Sequence, residues 1–362
     1  MAQTLNPTPY QVDVPASLLA QDASAWAFAR AANLHGLPWT PRTATHVSGL
    51  NTPLVCPPNI SKVLQALGYG EQLRDLAHLP NRDQIRFGKS AYLLAELPLG
   101  QFSEDRYGAA LYNLSADSLQ EFGLPEPIDV PEHTHDHTRG TTDPQEDLHL
   151  VLNDPAHASE VPDKSTHMLY TSRVPRIEAQ ASANVMWLTE GGFGYQITTG
   201  AHTEFVFCLQ EHHLQPHLWH PMLHEAIQAL QPLGQCPQSA PPREHWQAGN
   251  YAWMGQMAFK PAPIWIDSQL MGLEDAWVLS RMLENYEEDW ADGFSEYEKY
   301  RRARARRVHR ALQQRWQLYT NTNAWANVKR NLNIAFSTRF LPEIAMQKAD
   351  WLYGHDCIRG FR

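Results

Sequence analysis

Histidines and carboxylates mark the first places in this chain where chemistry is conceivable. Glu132-His133-Thr134-His135-Asp136-His137 alternates imidazoles with other polar side chains. His213, His217, His220 and His224 contain two pairs four residues apart, a spacing at which one helix face presents two imidazoles to a metal. Pro216 and Pro221 interrupt that second segment and no H-E-x-x-H occurs, so no metal site is expected. The histidines read as loop and surface residues, with His212 and His220 as candidates for lining a cavity. There is no G-x-S-x-G turn, no Walker A phosphate loop and no papain-like cysteine context, so no catalytic residue is assigned. Cys56, Cys208, Cys236 and Cys357 are widely spaced without a C-x-x-C pair and read as core or surface thiols, not as a disulfide framework or zinc site. Trp187, Trp219, Trp246, Trp253 and Trp265 read as core or cavity lining.

The elements that must position any site read as mixed α and β. Residues 23 to 34 are alanine-rich with Trp26 and Phe28, as in a buried crossover helix. Residues 84 to 102 and 183 to 210 read as strands, and Gly191-Gly192 and Thr199-Gly200 as the turns that punctuate the second group. Residues 125 to 146 are polar and rich in histidine and read as a surface loop. Ser295-Glu296-Tyr297-Glu298 predicts a capping box opening a helix that runs to about Trp316. That helix carries Lys299, Arg301, Arg302, Arg304, Arg306, Arg307, Arg310 and Arg315 directly after Glu287, Glu288, Asp289 and Asp292. Two solvated faces that pair with each other are expected, with a docking surface for an acidic partner as the alternative.

At 362 residues, 43% hydrophobic and 19% charged, the chain can bury a large core in two lobes. Its net charge of -10 argues against nucleic acid as a partner, because phosphate neutralisation needs clustered cations. No apolar run of about 18 residues is present, so no membrane span is expected. Met1 to Val14 lacks a basic segment followed by an apolar one, which makes the cytoplasm the expected location.

The segment Gly255 to Trp277 resembles that of the FAD-dependent aromatic-ring hydroxylases, the salicylate- and p-hydroxybenzoate-hydroxylase-like monooxygenases. In that family a strand ends in Gly-Asp, a loop carries a Pro and a Gly-Gln-Gly, and a helix opens on an apolar residue followed by Glu-Asp-Ala. Here the strand is Asn250 to Met254, the glycine is Gly255, the proline is Pro263, and the helix opens with Leu273-Glu274-Asp275-Ala276-Trp277. The family's ribityl-binding Asp falls on Gln256, and its Gly-Gln-Gly on Ile266-Asp267-Ser268. Pro58-Asn59, Val63 to Gly68, Leu94 to Leu119 and Asp350-Trp351-Leu352-Tyr353-Gly354-His355-Asp356 also resemble family segments.

The dinucleotide fingerprint G-x-G-x-x-G falls on Ala20 to Ala25, so Ala20, Asp22 and Ala25 stand where glycines make a tight turn, admit the pyrophosphate and let helix and strand pack. Asp22 would set a carboxylate against a diphosphate at a helix N-terminus that ordinarily attracts anions. The ribose-binding acidic residue falls near Thr43, a family arginine on Ser115, and an Asp-Gly near Ser172-Arg173.

The resemblance implies an α/β fold: a Rossmann-like FAD-binding-type domain with an inserted antiparallel β-sheet substrate-type domain and C-terminal helices. The first would take residues 1–82, 103–180 and 241–362, the second 83–102 and 181–240. With the flavin contacts replaced, the expectation is a pseudoenzyme without tightly held FAD. Its partner would be a small apolar or aromatic ligand or an active flavin hydroxylase. The alternative is a divergent monooxygenase that hydroxylates an aromatic or related ring with NAD(P)H and oxygen, its FAD held through Gly255, Gln256 and Pro263.

Overall fold

The computed structural model describes residues 12–15, 23–42, 52–115, 121–122, 148–151, 166–178, 182–286, 289–340 and 342–361. Ala20, Asp22, Thr43 and residues 125 to 146 lie outside them.

Strand β1 (Val12–Pro15) leads to helix α1 (Ala23–His35) and then to β2 (Trp39–Arg42), which lies parallel to β1. Ala25, Ala27, Ala29, Ala31 and Ala32 are fully buried, so α1 is enclosed on nearly all sides, as its alanine-rich sequence predicts. Strand β3 (Leu54–Cys56) is followed by α2 (Pro58–Ala66), with proline at its first position where a missing N–H costs nothing, and by α3 (Gly70–Leu76). A hairpin of β4 (Arg82–Phe87) and β5 (Leu93–Pro98) precedes α4 (Gln101–Tyr107), whose C-cap Gly108 takes a φ of 79°, and β6 (Tyr112–Leu114) pairs with β3.

Strand β7 (Leu148–Val151) lies parallel to β1. Next come β8 (Met168–Pro175), β9 (Ala183–Leu188), β10 (Phe193–Thr199) and β11 (His202–Leu209). Gly191 and Gly200 turn between the last three with φ of 78° and 61°, a conformation that glycine adopts without penalty. Helix α5 (His224–Gln228) leads to β12 (Gln231–Gln235), and the chain returns through β13 (Gln247–Ala248) and β14 (Tyr251–Trp253). It ends in α6 (Gly272–Asn285), α7 (Trp290–Tyr319), α8 (Ala324–Phe340) and α9 (Pro342–Tyr353).

The five-stranded sheet has the order β13-β14-β7-β1-β2, and the seven-stranded sheet the order β12-β8-β11-β10-β9-β4-β5. The expected architecture is present, with two differences in the second sheet. Strand β4 runs parallel to β9, because the two come from distant parts of the chain and no hairpin ties them. Strand β8, which the sequence division gave to the first unit, pairs with β11 over its full length, Met168 opposite Leu209 through Pro175 opposite His202. Ser172 and Arg173 therefore lie inside a strand.

Helix α7 also begins earlier than the capping box predicts. Asp289 is its N-cap, accepting from the Asp292 N–H at 3.2 Å, while Ser295 donates to the Ala291 carbonyl from within the helix. A carboxylate at the positive end of the helix satisfies a free N–H, so the start moves upstream. Helix α8 packs on β5 and leaves Trp325, Val328, Leu332 and Phe336 largely exposed.

Candidate functional site

Two hollows meet at the turn Ile266-Asp267-Ser268. The first lies between the N-terminus of α1 and the start of α6, lined by Ala23, Ser24, Gly255, Gln256, Ser268 and Gly272 among others. This is the path along which the flavin-like segments converge. Among the described residues its wall takes Pro261 and not Pro263. Gly255 is held at a φ of 59° and donates its N–H to Asp275 Oδ2 at 3.1 Å, and Gln256 is half-buried beside it.

As the described residues stand, this cleft holds about 20 Å³, room for about one water. The cause is contact between α1 and α6: a β-carbon added at Gly272 would meet Ser24 Oγ at 1.9 Å and Gly255 Cα at 2.9 Å. Several backbone groups at and before the turn are engaged. The Ile266 carbonyl accepts from the Val55 N–H at 3.2 Å, Gln269 Nε2 donates to the Ala262 and Trp265 carbonyls at 2.8 and 3.2 Å, and Trp265 stacks on Phe193 at 5.1 Å.

Beneath the cleft lies a buried ion network. Glu274 is 0% exposed and receives Asn59 Nδ2 at 2.7 Å, Arg301 Nη1 at 2.5 Å, and Arg304 through Nε at 2.6 Å and Nη2 at 2.7 Å. Arg301 Nε also donates to Asp275 Oδ1 at 2.6 Å. Burial alone would raise the Glu274 carboxyl, but the Arg304 and Arg301 guanidiniums outweigh it and hold the group well below the usual carboxylate range. For Asp275 burial wins and the carboxyl is raised. Two cations of the basic helix are thus internal struts, paired with α6. The C-terminal segment braces α4 likewise, with Asp350 accepting from Arg106 Nε and Nη2 at 2.9 and 2.8 Å and from Tyr107 at 3.0 Å.

The second hollow, about 160 Å³, opens on the other side of the turn, against the seven-stranded sheet. Its wall is one face of three neighbouring strands: Asp83 and Ile85 of β4, Asn184 and Met186 of β9, Tyr195 and Ile197 of β10. The period of two along each strand puts these pairs on one face, and register sets Asp83 opposite Asn184 and Met186 opposite Tyr195. Val55, Leu111 and Ile266 add apolar surface. Asp267 comes from the turn, Arg315 and Tyr319 from one face of α7, and Tyr353 from the end of α9.

Asp267 Oδ2 accepts from Arg315 Nη1 at 2.9 Å. Burial, reinforced by the charge of Asp267 and only partly opposed by Arg315, pushes the Asp83 carboxyl up to about 7. Among the described residues no cation pairs with Asp83. Burial also raises the phenols of Tyr195, Tyr319 and Tyr353, so all three are neutral donors at physiological pH.

A larger hollow, about 470 Å³, is lined by Phe87, Lys89, Thr189, Glu190, His212, His213 and Trp219 among others. It shares no residue with the flavin path and is built at strand ends, so size does not make it the site. The histidine series that suggested metal ligands is broken into short turns at Glu211–Leu214, Pro216–Leu218 and Pro221–Leu223 before α5 begins. Of the two histidines expected at a cavity, His212 lines this hollow and His220 does not. Among the described residues no cluster of three or more His, Cys, Asp or Glu is arranged to hold a metal, and no helix is long and apolar enough to cross a membrane. All four cysteines are buried and free.

Sequence reasoning named the turn at Ile266 to Ser268 and missed Asp83, Tyr195, Arg315, Tyr319 and Tyr353 as a group. Four segments far apart in the chain supply them, and only Arg315, in the basic run, and Tyr353, in a family segment, had been named in the sequence.

No protein-family profile matches the chain. Solved structures do. A Klebsiella pneumoniae HpxO variant in complex with FAD is similar with a TM-score of 0.74 at 17% identity, covering 94% of this chain and 98% of that one. The p-nitrophenol 4-monooxygenase PnpA of Pseudomonas putida is similar at 0.69 and 12% identity, over 94% and 97%. A salicylate hydroxylase in complex with its substrate is similar at 0.66 and 17% identity, over 97% and 96%. Through the mostly parallel five-stranded sheet, the seven-stranded sheet and the terminal helices, this chain has the fold of the FAD-dependent aromatic hydroxylases.

Proposed function

We propose that this protein keeps the hydroxylase fold without tightly held FAD and acts as a ligand-binding or accessory protein, a pseudoenzyme whose ligand sits in the cavity beside Asp83 and Asp267. The observation that carries this reading is the turn Ile266-Asp267-Ser268, with a cleft of about 20 Å³ on one side and a cavity of about 160 Å³ on the other. In this fold the cofactor performs the oxygen chemistry, so a chain that does not retain it does not hydroxylate. The protein-partner form of the reading pairs this chain with an active flavin hydroxylase.

A second reading, a divergent FAD-dependent monooxygenase, is supported by the retained Gly255-Gln256 turn and by the near full-length likeness to a structure in complex with FAD. The test is an absorbance spectrum of protein expressed with excess riboflavin and purified gently. A folded, colourless protein that gains no flavin from added FAD is expected. A stoichiometric band at about 450 nm would replace this reading with the second one.

A further inference from the structure

The cavity beside the turn has an uneven charge balance. Asp267 is matched by Arg315 at 2.9 Å. Asp83, on the opposite wall, has no cation of its own among the described residues. The other titratable groups that face it are Tyr195 from β10, Tyr319 from α7 and Tyr353 from α9, all neutral and all able to donate a hydrogen bond. Two carboxyls therefore share one guanidinium. A half-buried carboxyl in that position favours holding a proton or taking a cation from outside.

We propose that this cavity binds a small ammonium ion carried on a one-ring or similarly sized apolar body, with Asp83 as its counter-ion, a claim that rests on the ligand-binding reading above. The size follows from the volume: about 160 Å³ is close to the roughly 150 Å³ of an engineered apolar cavity that binds benzene. Ile85, Met186 and Ile197 supply the apolar bed for the ring. The head group meets a carboxyl and a wall of tyrosines, and aromatic faces attract ammonium ions as carboxylates do. An aromatic carboxylate would instead place a third negative group beside Asp83 and Asp267, with Arg315 already engaged.

Binding of the cation requires Asp83 to give up its proton. Since burial holds that carboxyl near neutrality, affinity for an ammonium ligand rises with pH between about 6 and 8 and levels off above.

Calorimetric titration with three probes of one shape tests the charge: benzylamine as cation, benzyl alcohol as neutral, benzoate as anion. Benzylamine is expected to bind at least about tenfold more tightly than either of the others at pH 8, to weaken toward pH 6, and to lose its advantage in Asp83→Asn. Equal or tighter binding of benzoate or benzyl alcohol overturns the proposal, as does the absence of benzylamine binding at millimolar concentration. Should Asp83→Asn fail to fold, the probe ranking and pH dependence of the wild type decide alone. The same samples are scanned for flavin. A yellow protein removes the functional reading, whereas a colourless protein that prefers benzoate removes only the ligand class.

Discussion

Ile266, Asp267 and Ser268 face two hollows, and the hollows differ in how they are filled. On the Ser268 side α1 and α6 touch, because Ser24 rests where only glycine at 272 leaves room. On the Ile266 and Asp267 side the sheet and α7 stand apart, with carboxyls, a guanidinium and phenols lining the gap. Close packing of small residues leaves little space between two helices, whereas charged and polar walls resist collapse because each group would lose its partner or its water. One tripeptide thus borders a sealed path and an open one.

The largest effect should come from breaking the frame both hollows share. Arg304→Met leaves the buried Glu274 one cation short, and a loss of about 3–5 kcal/mol is expected from denaturant melts. A loss under about 1 kcal/mol would mean the network does not hold α6 against α7. Next is the sealed side. Gly272→Ala forces a β-carbon against Ser24 and is expected to cost about 1–3 kcal/mol. Ser24→Gly in the same chain should recover only part of it, since Gly255 Cα also lies within 2.9 Å of that β-carbon. Full independence of the two substitutions would show that α1 and α6 do not meet there.

On the open side, Asp83 ties stability to pH with an unusual sign. Its folded-state pKa of about 7 lies above the value of about 3.9 in an unfolded chain. Its contribution is full below the lower value, falls as pH rises through the window, and is flat above about 7. Asp83→Asn should remove a slope on the order of 1–2 kcal/mol between about pH 4 and 7, discounted for the group's partial exposure. An unchanged stability profile would place the carboxyl in contact with water. Restoring the flavin pattern with Ala20→Gly, Asp22→Gly, Ala25→Gly and Gln256→Asp together should give a small yield of yellow protein, read from the band at about 450 nm. A yield equal to that of a flavoenzyme would make the turn irrelevant, and none at all would make the α1–α6 contact the sole barrier. The smallest effect is the control: Arg310→Gln, on exposed α7 surface, should change stability by less than about 0.5 kcal/mol.

The reading of the family segments separates by physical role. Leu273-Glu274-Asp275-Ala276-Trp277 and Asp350 to Asp356 were legible in the sequence, and they hold the fold together: Glu274 and Asp275 clamp α7, and Asp350 clamps α4. The basic run of α7 was legible as charge, but its direction was not. A helical period of 3.6 sorts eight cations onto several faces, and only packing decides that Arg301 and Arg304 turn inward while Arg310 stays exposed.

By itself the sequence determined the alternation that makes the strands, the glycines that turn them at Gly191 and Gly200, and the alanine face of α1. These are local properties, set by backbone conformation and side-chain type within a few residues. The tertiary structure alone decided that β8 joins the seven-stranded sheet, that Ser24 meets Gly272, and that Asp83, Tyr195, Asp267, Arg315, Tyr319 and Tyr353 share one cavity. Those meetings depend on long-range pairing and on the volume left between packed elements, which no window of the chain encodes.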